Sequence, residues 1–526
     1  MMQAFAELLN RLSTTSERNG KLKLLADYFR ATPDPDRGLA LAALTESLPL
    51  SFPLRRVVSG LIAKRSDPVL YQLSREYVGD TAETLALIWR PRHGPGWNDL
   101  SIAAIAARFG QAAPRDLPDL LESALDRLDA NGRFALLKFL GGALRVGVSA
   151  RLAKTGLAEA FGADLEAIEE VWHSLAPPYG ALFAWLEGAA PKPDAAGQPV
   201  YRPVMLAHPI EEADFEGLSP EEIAAEWKWD GIRVQISAAP GGVRLYSRQA
   251  DDISASFPEI TAAFAGRHVV LDGELLILRG GLVQPFNDLQ QRLNRKRVDA
   301  GLMAQYPAHI RLYDILFDGV EDVRGLAFDA RRARLESWFA ANSPDHADIS
   351  PLVPVESIAA LRALWAASRD QSIEGLMLKR RQSPYLAGRP KGHWFKWKRA
   401  PLTIDCVLMY AERGAGKRSS LYSDYTFGCW KGQELVPVGK AYSGFTDAEL
   451  KELDRFIREN TVERFGPVRA LKPGLVFEVA FDAVNASARH KSGLAMRFPR
   501  IHRIRWDKPA AEADRLETLA ALIGKA

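Results

Sequence analysis

Cysteine is almost missing from this chain. Two thiols, Cys406 and Cys429, in 526 residues cannot build a disulfide framework, and they fall short of the four ligands of a structural zinc site. A reducing compartment, the cytoplasm, is therefore expected. No apolar run is long and uncharged enough to read as a membrane span. The opening stretch Met1-Met2-Gln3-Ala4-Phe5 has no basic residues ahead of it and carries Glu7 and Arg11 inside its apolar spacing, so it reads as an amphipathic helix and not as an export signal. No membrane partner is expected. A strong charge of one sign is lacking too: 68 Lys and Arg against 65 Asp and Glu leave a net +3, which neither requires nor excludes a polyanionic partner. Internal repeats and low-complexity tracts are absent apart from one short linker.

Hydrophobic residues at 47% and charged residues at 25% are ordinary globular values, and the length suits two to four domains. Residues 1–188 are rich in Ala, Leu, Arg and Glu at helical spacing, as in Leu117 to Leu128 and Phe134 to Leu144, and predict an all-α N-terminal domain. Residues 189–200, small, polar and rich in proline, predict a linker. From 201 to 400 short apolar or alternating runs, Val243 to Tyr246, Val269 to Leu278 and Ile310 to Phe317, alternate with helical stretches and predict an α+β core. Residues 401–526 hold strand candidates at Ile404 to Tyr410, Tyr425 to Trp430 and Leu475 to Phe481 around one helix, Asp447 to Glu459. A small C-terminal β-barrel of the OB type is the economical reading of that region.

The densest chemical signal is Glu226-Trp227-Lys228-Trp229-Asp230-Gly231-Ile232-Arg233. In an extended segment the two-residue period puts Glu226, Lys228 and Asp230 on one face and the tryptophans on the other. Lysine is a nucleophile only as the neutral amine, about one part in a thousand of a free lysine near neutral pH, so nearby cations or desolvation must favour that form. Taken alone, Lys-x-Asp-Gly is more often a solvated strand than a catalytic one. Three further runs shift that balance: Leu271-Asp272-Gly273-Glu274-Leu275, Ile373-Glu374-Gly375-Leu376-Met377-Leu378-Lys379 and Trp394-Phe395-Lys396-Trp397-Lys398. Each places charge inside an apolar strand, which is costly unless the charges face a ligand, a metal or one another. Asp272 and Glu274 share a face, and so do Lys396 and Lys398. Lys379, five positions after Glu374, falls on the opposite face of a straight strand, so it requires either a bulge or a separate job.

In this order the blocks resemble the covalent nucleotidyltransferases, that is DNA ligases, RNA ligases and mRNA capping enzymes, and above all the ATP-dependent DNA ligases. Arg202-Pro203-Val204-Met205-Leu206-Ala207, Pro285-Phe286-Asn287-Asp288-Leu289-Gln290-Gln291-Arg292 and Arg497 to Lys508 extend the likeness over 201–508. Leu144-Arg145-Val146-Gly147-Val148-Ser149 is similar to a stretch in the DNA-binding domain of archaeal and eukaryotic ligases. The resemblance implies a helical DNA-binding domain (1–188), a linker (189–200), an ATP-grasp-like nucleotidyltransferase, or adenylation, domain (201–400) and an OB-fold domain (401–526), hinged between Lys398 and Asp405.

By the same resemblance Lys228 attacks the α-phosphate of ATP to give a lysyl-AMP, AMP passes to the 5′-phosphate at a nick, and the 3′-hydroxyl displaces it. Glu226 takes the adenine-side position, and Arg233 and Arg248 the ribose and phosphate contacts. Tyr313, where many relatives carry phenylalanine, takes the place of the ring stacked on adenine. Glu274 and Glu374 become the carboxylates linked to Mg²⁺, with Mn²⁺ as a substitute. Lys396 and Lys398 neutralise the α-phosphate, Arg389 reaches the nucleotide, and Arg505 and Lys508 orient the leaving pyrophosphate. The implied partner is nicked double-stranded DNA bound by a monomer through phosphate contacts, with Arg292 to Arg297 and Arg489-His490-Lys491 as candidate contacts. Its location would be cytoplasmic, nucleoid-associated in a bacterium, and its repair or replication partners are unknown. An RNA ligase, a capping-type enzyme and a non-catalytic nick-binding protein stand as alternatives, while a NAD-dependent ligase is disfavoured because two cysteines cannot build that class's zinc module.

Overall fold

Leucine and alanine at helical spacing, with few β-branched residues, shape the first third of the chain. The computed structural model describes residues 2–50, 52–78, 80–92, 96, 100–293, 295, 298–367, 373–413, 422–442 and 445–523. Between Met2 and Leu186 the described residues form helices and no strand. Helix Met2–Thr14 buries Phe5, Ala6, Leu8, Leu9 and Leu12 and turns Gln3 and Glu7 outward, the amphipathic pattern expected of it. Helix Ala130–Gly141 starts where the Asp129 side chain accepts from Gly132 N and stops at Gly142, which is left-handed. The spacing predicts helix on to Leu144. Instead Leu144 to Val148 lie in a loop that ends at Ser149, the cap of helix Ala150–Phe161. No helix among the described residues is long and apolar enough to cross a membrane.

The described residues fall into two compact units. One holds Met1–Ile168, Leu175–Pro193 and Thr403–Ala521; the other holds Glu169–Ser174, Asp194–Leu402 and Leu522–Ala526. The central unit contains two sheets. A five-stranded sheet runs in the order His208–Pro209, Trp394–Lys398, Ile373–Arg380, Ile223–Trp229, Leu352–Val353. A seven-stranded sheet has as its spine Gly242–Ser247, Ile232–Ala239, Val269–Arg279 and Ala308–Asp318. The second sheet owes its core to aliphatic and aromatic residues: Val234, Ile236, Leu245, Leu271, Leu275, Ile310 and Leu312 pack with Phe257, Phe264 and Trp338. Behind the first sheet lies a smaller core of Ile223, Ala225, Leu376, Leu378, Phe395 and Trp397. The α+β reading of this region holds.

The C-terminal region is rich in antiparallel strands. Tyr422–Lys431 pairs with Glu434–Tyr442 on one side and Leu402–Arg413 on the other, and Val476–Phe481 joins Leu402–Arg413 to Arg500–Arg505. Helix Asp447–Glu459 has the boundaries expected of it and begins with a capping box between Thr446 and Glu449. Cys406 and Cys429 are buried free thiols with their sulfurs 3.6 Å apart.

Two expectations need correction. Strand Ile223–Trp229 ends before Asp230, so Asp230 sits in the turn to the next strand and does not share a strand face with Glu226 and Lys228. Arg292, expected among surface phosphate contacts, is fully buried: its guanidinium binds both oxygens of Glu259 at 2.8 Å and the carbonyls of Ser256 and Tyr306. Asn294, Lys296 and Arg297 of that basic run lie outside the described residues.

Arg292 thus bolts the turn at Ser256, helix Pro258–Ala263 and the end of helix Ala300–Gln305 together around a buried ion pair, and removing one partner strands the other charge. Arg292→Ala should cost about 3 to 5 kcal/mol, lowering the thermal midpoint by several degrees. A midpoint within a degree of the parent would mean that the guanidinium carries no such role.

Candidate active site

Register decides which side chains meet. In the five-stranded sheet Gly375 pairs with both Lys228 and Lys398, Met377 with Glu226 and Lys396, and Lys379 with Ala224 and Trp394. Residues directly opposite on antiparallel strands project to the same side, so Glu226, Lys228, Lys379, Lys396 and Lys398 share one face. Glu374 would project to the other face of a regular strand. It does not, because the pairing shifts by one residue between Ile373 and Gly375, and the extra residue is Glu374. This bulge brings its carboxylate to the lysines: Oε2 pairs with Lys228 Nζ and takes Lys398 Nζ at 3.2 Å. Gly375 makes the bulge feasible, with φ of 143° and a Cβ position only 2.0 Å from the Trp397 carbonyl oxygen. The bulge also answers the question posed by Lys379, which lies on the site face.

The second sheet supplies the other wall. Arg233 pairs with Glu274 and Gln235 with Asp272 across the antiparallel ladder, so all four share a face. A second shift, where Asp272 opposes Asp314 and Gly273 opposes Leu312, makes Tyr313 the extra residue of its strand. The Tyr313 ring lies 4.8 Å from Lys379 Nζ and 5.9 Å from the Arg233 guanidinium. The turn between the sheets passes through Gly231, where a Cβ would come within 2.4 Å of the Leu275 carbonyl and 2.8 Å of Glu274 Cγ.

Several buried contacts had no sequence signal. Asp272, wholly buried, accepts from Arg233 at 3.1 and 2.6 Å and from the Tyr385 hydroxyl at 2.7 Å. Arg233 also donates to the Met205 carbonyl at 2.6 Å and to the Tyr385 hydroxyl at 3.1 Å, so most of its donors brace the protein. Glu226, 2% exposed, is held by Lys379 at 2.5 Å and Arg332 at 3.2 Å. Lys379 lies within 4.8 Å of the ring centres of Tyr313, Phe328 and Trp394. Arg332 belongs to helix Phe328–Asn342 and reads in the sequence as one more cation on an amphipathic helix. Tyr385 sits in the connection between two strands, where nothing in the sequence marks it.

Charge is distributed unevenly. Burial, then the positive charges of Arg389, Lys398, Lys228 and Arg248, hold the Lys396 ammonium below the usual lysine value. Five cations therefore act on one small region, an arrangement that calls for a polyanion. Burial pushes the Glu274 carboxyl up to about 8, with Lys228 opposing and the charge of Glu374 adding to the rise. Glu374 goes the other way: burial raises it, but Lys228 and Lys398 together hold it well below the usual carboxylate range. Two carboxylates that repel each other across a half-buried site fit a hard divalent cation, and a magnesium ion asks few ligands of the protein because it keeps waters and phosphate oxygens. Among the described residues no group of three or more Asp, Glu, His or Cys side chains could hold a metal without such help.

Arg505 and Lys508 belong to the other unit, where both bind Asp405, at 3.1 and 2.7 Å. Arg489, His490 and Lys491 form an exposed turn between strands Ala483–Ala486 and Leu494–Arg497.

Comparison with known proteins gives concordant matches. Residues 204–398 match the family described as ATP dependent DNA ligase domain, and 418–508 match the ATP dependent DNA ligase C terminal region. A probable DNA ligase of Koribacter versatilis is 32% identical over an alignment covering 98% of this chain and 95% of that one. DNA ligase 1 of Korarchaeum cryptofilum is 29% identical, covering 100% of this chain and 98% of that one. Among solved structures, Pmar-Lig_PreS3 is similar with a TM-score of 0.58 and 18% identity, covering 95% of this chain and 99% of that one, a likeness of fold.

Two measurements check the geometry. Gly375→Ala should remove the bulge, displacing Glu374 and costing thermal stability together with nucleotide binding; a variant with parental stability and binding would show that the bulge is dispensable. Glu274 provides a pH test. Because its folded value of about 8 lies above the ordinary carboxyl value, the native state holds a proton that the unfolded state has lost, and stability falls as pH rises from about 4.5 to about 8. In metal-free protein Glu274→Gln should therefore raise the thermal midpoint at pH 8 and leave it nearly unchanged at pH 4.5. An equal effect at both values would mean that the carboxyl is not held as described.

Proposed function

The chain belongs to the ATP-dependent DNA ligase family, and on that premise we propose that Lys228 is the nucleophile that carries AMP from ATP to the 5′-phosphate of a nick. Membership disposes of the RNA-ligase and capping alternatives, and the intact set of charges around Lys228 speaks against a non-catalytic scaffold. The observation that carries the assignment is the convergence of Lys228, Lys398, Arg248 and Arg389 on Lys396, on the sheet face that also carries Glu226 and Lys379, the latter against Tyr313.

The chemistry follows from the contacts. Lys228 first gives up its Glu374 partner and a proton. Its lone pair then attacks the α-phosphorus, a P–N bond forms, and the bond to the β-phosphate oxygen breaks to release pyrophosphate. Lys396 and Lys398 neutralise charge on the non-bridging oxygens as it develops, while Arg389 and Arg248 hold the outer phosphates. Mg²⁺, or Mn²⁺ in its place, would be held by Glu274 and Glu374 and would supply Lewis acidity at the phosphate oxygens. Next the 5′-phosphate oxygen attacks the same phosphorus, the P–N bond breaks, and the freed amine regains a proton and Glu374. In the last step the 3′-hydroxyl attacks the 5′-phosphate and AMP departs.

Glu226 is assigned to the exocyclic amine of adenine, Tyr313 to its face and Arg233 to the ribose side. Arg505 and Lys508 are assigned to pyrophosphate in the first step. The domain assignment is a helical DNA-binding domain (1–188), a linker (189–200), an ATP-grasp-like adenylation domain (201–400) and an OB-fold domain (401–526). Nicked duplex DNA is the substrate, bound through its phosphates by a monomer.

Incubation with α-labelled ATP and Mg²⁺ should leave label covalently on the protein, GTP and NAD⁺ should not, and Lys228→Ala should reduce labelling by more than a thousand-fold. Label that survives this substitution would place the nucleophile elsewhere.

A further inference from the structure

We propose that Asp405 is a positioning residue that sets Arg505 and Lys508 as a two-cation clamp for the departing pyrophosphate. This rests on the assignment of those two cations to the first step and adds to it the residue that arranges them.

Asp405 lies near the start of strand Leu402–Arg413, Arg505 at the end of strand Arg500–Arg505, and Lys508 in the turn that follows. A single oxygen, Oδ2 of Asp405, accepts from Arg505 Nη1 at 3.1 Å and from Lys508 Nζ at 2.7 Å. Because both donors meet at one atom, the two cationic heads converge on a point, although both side chains have several rotatable bonds. The backbone that carries this carboxylate is pinned on both sides. Asp405 N donates to Asp514 Oδ2 at 2.8 Å, and Asp514 N donates back to the Asp405 carbonyl at 2.9 Å.

Burial separates this contact from an ordinary rim pair. The Asp405 side chain is 12% exposed and each cation 21%, whereas Asp507, which also binds Arg505, is 68% exposed and largely screened by solvent. The second oxygen of Asp405 is buried with no hydrogen-bond partner. A buried, unsatisfied carboxylate oxygen is unfavourable for stability, so packing alone gives no reason for an aspartate here. The geometry it imposes on two cations does. Cations whose rotamers are fixed beforehand lose less freedom when an anion arrives.

The test uses the full chain with Asp405→Asn, and with Arg505→Ala and Lys508→Ala in parallel. Three rates are measured: self-adenylylation with labelled ATP, reversal of the enzyme–AMP by pyrophosphate, and closure of a pre-adenylated nick. Asp405→Asn should slow the first two at least ten-fold, mainly through a higher KM for ATP and for pyrophosphate, and change nick closure less than two-fold; Asp405→Glu should restore part of the loss. Retained nick closure also reports that the variant is folded, and Asp405→Ser, which breaks the same two contacts, serves if the asparagine variant is not. Equal losses in all three rates, or faster self-adenylylation, would overturn the proposal. Normal adenylylation by Asp405→Asn beside defective Arg505→Ala and Lys508→Ala would overturn it alone. Normal adenylylation by both cation variants would overturn the assignment beneath it as well.

Discussion

The Glu374 carboxylate between Lys228 and Lys398 is the contact on which the arrangement of the site depends. Its position follows from one extra residue in a strand. Were the strand regular, Glu374 would project to the face that carries Leu376, Leu378 and Trp397, where a buried carboxylate has no partner and a high cost. The bulge transfers that charge to the face where two lysines wait for it, and Gly375 is what allows the backbone to pass the Trp397 carbonyl. A second one-residue shift does the same for Tyr313 in the other sheet. Both walls of the site are thus re-aimed by irregularities in ladders that are otherwise regular, a common use of bulges near sites of chemistry.

Electrostatics then gives the two glutamates different characters. Glu374 is pulled into its charged form by lysines, while Glu274, facing burial and a like charge, is pushed towards its neutral form. The site consequently joins two opposed demands: cations crowd Lys396 on one side, and on the other Glu274 avoids a second negative charge beside Glu374. In the proposed assignment a polyphosphate and a divalent cation relieve both at once, and that relief is binding energy available at the reacting phosphorus.

Much of this could be read from the residues and some of it could not. The charged strands, the shared face of Lys396 and Lys398, the face common to Asp272 and Glu274 and the helix Asp447–Glu459 all follow from period and composition, because strand and helix periodicities act over a few neighbouring residues. Asp230 leaves the strand face and the helix before Leu144 stops at Gly142 for one reason: ends are set by caps and turns more than by period. Arg292 looked like a surface cation, and only the fold reveals that Glu259, 33 residues earlier, meets it. Lys379 illustrates the limit. Its parity in the strand stated the problem correctly, as bulge or separate job, and both turned out to apply: the bulge puts it on the site face and its job is to hold Glu226. Tyr385 and Arg332 left no trace of their site contacts in local pattern, since Asp272 and Glu226, which they meet there, lie more than a hundred residues away.

Burial varies across the site in a way that suits the proposed sequence, in which the adenylate phosphorus is attacked first by lysine and then by the 5′-phosphate of DNA. At the base side Glu226 and Lys379 are 2% and 1% exposed, locked by Arg332 and three aromatic rings. At the phosphate side Lys398 is 47% exposed, and Arg248 and Arg389 lie at the surface. In the proposed assignment a rigid base pocket keeps the adenylate in one place while its attachment changes from pyrophosphate to lysine to DNA. Loosely held cations can follow the changing phosphate oxygens, whereas cations fixed as firmly as Lys379 would favour one intermediate and slow the steps that consume it.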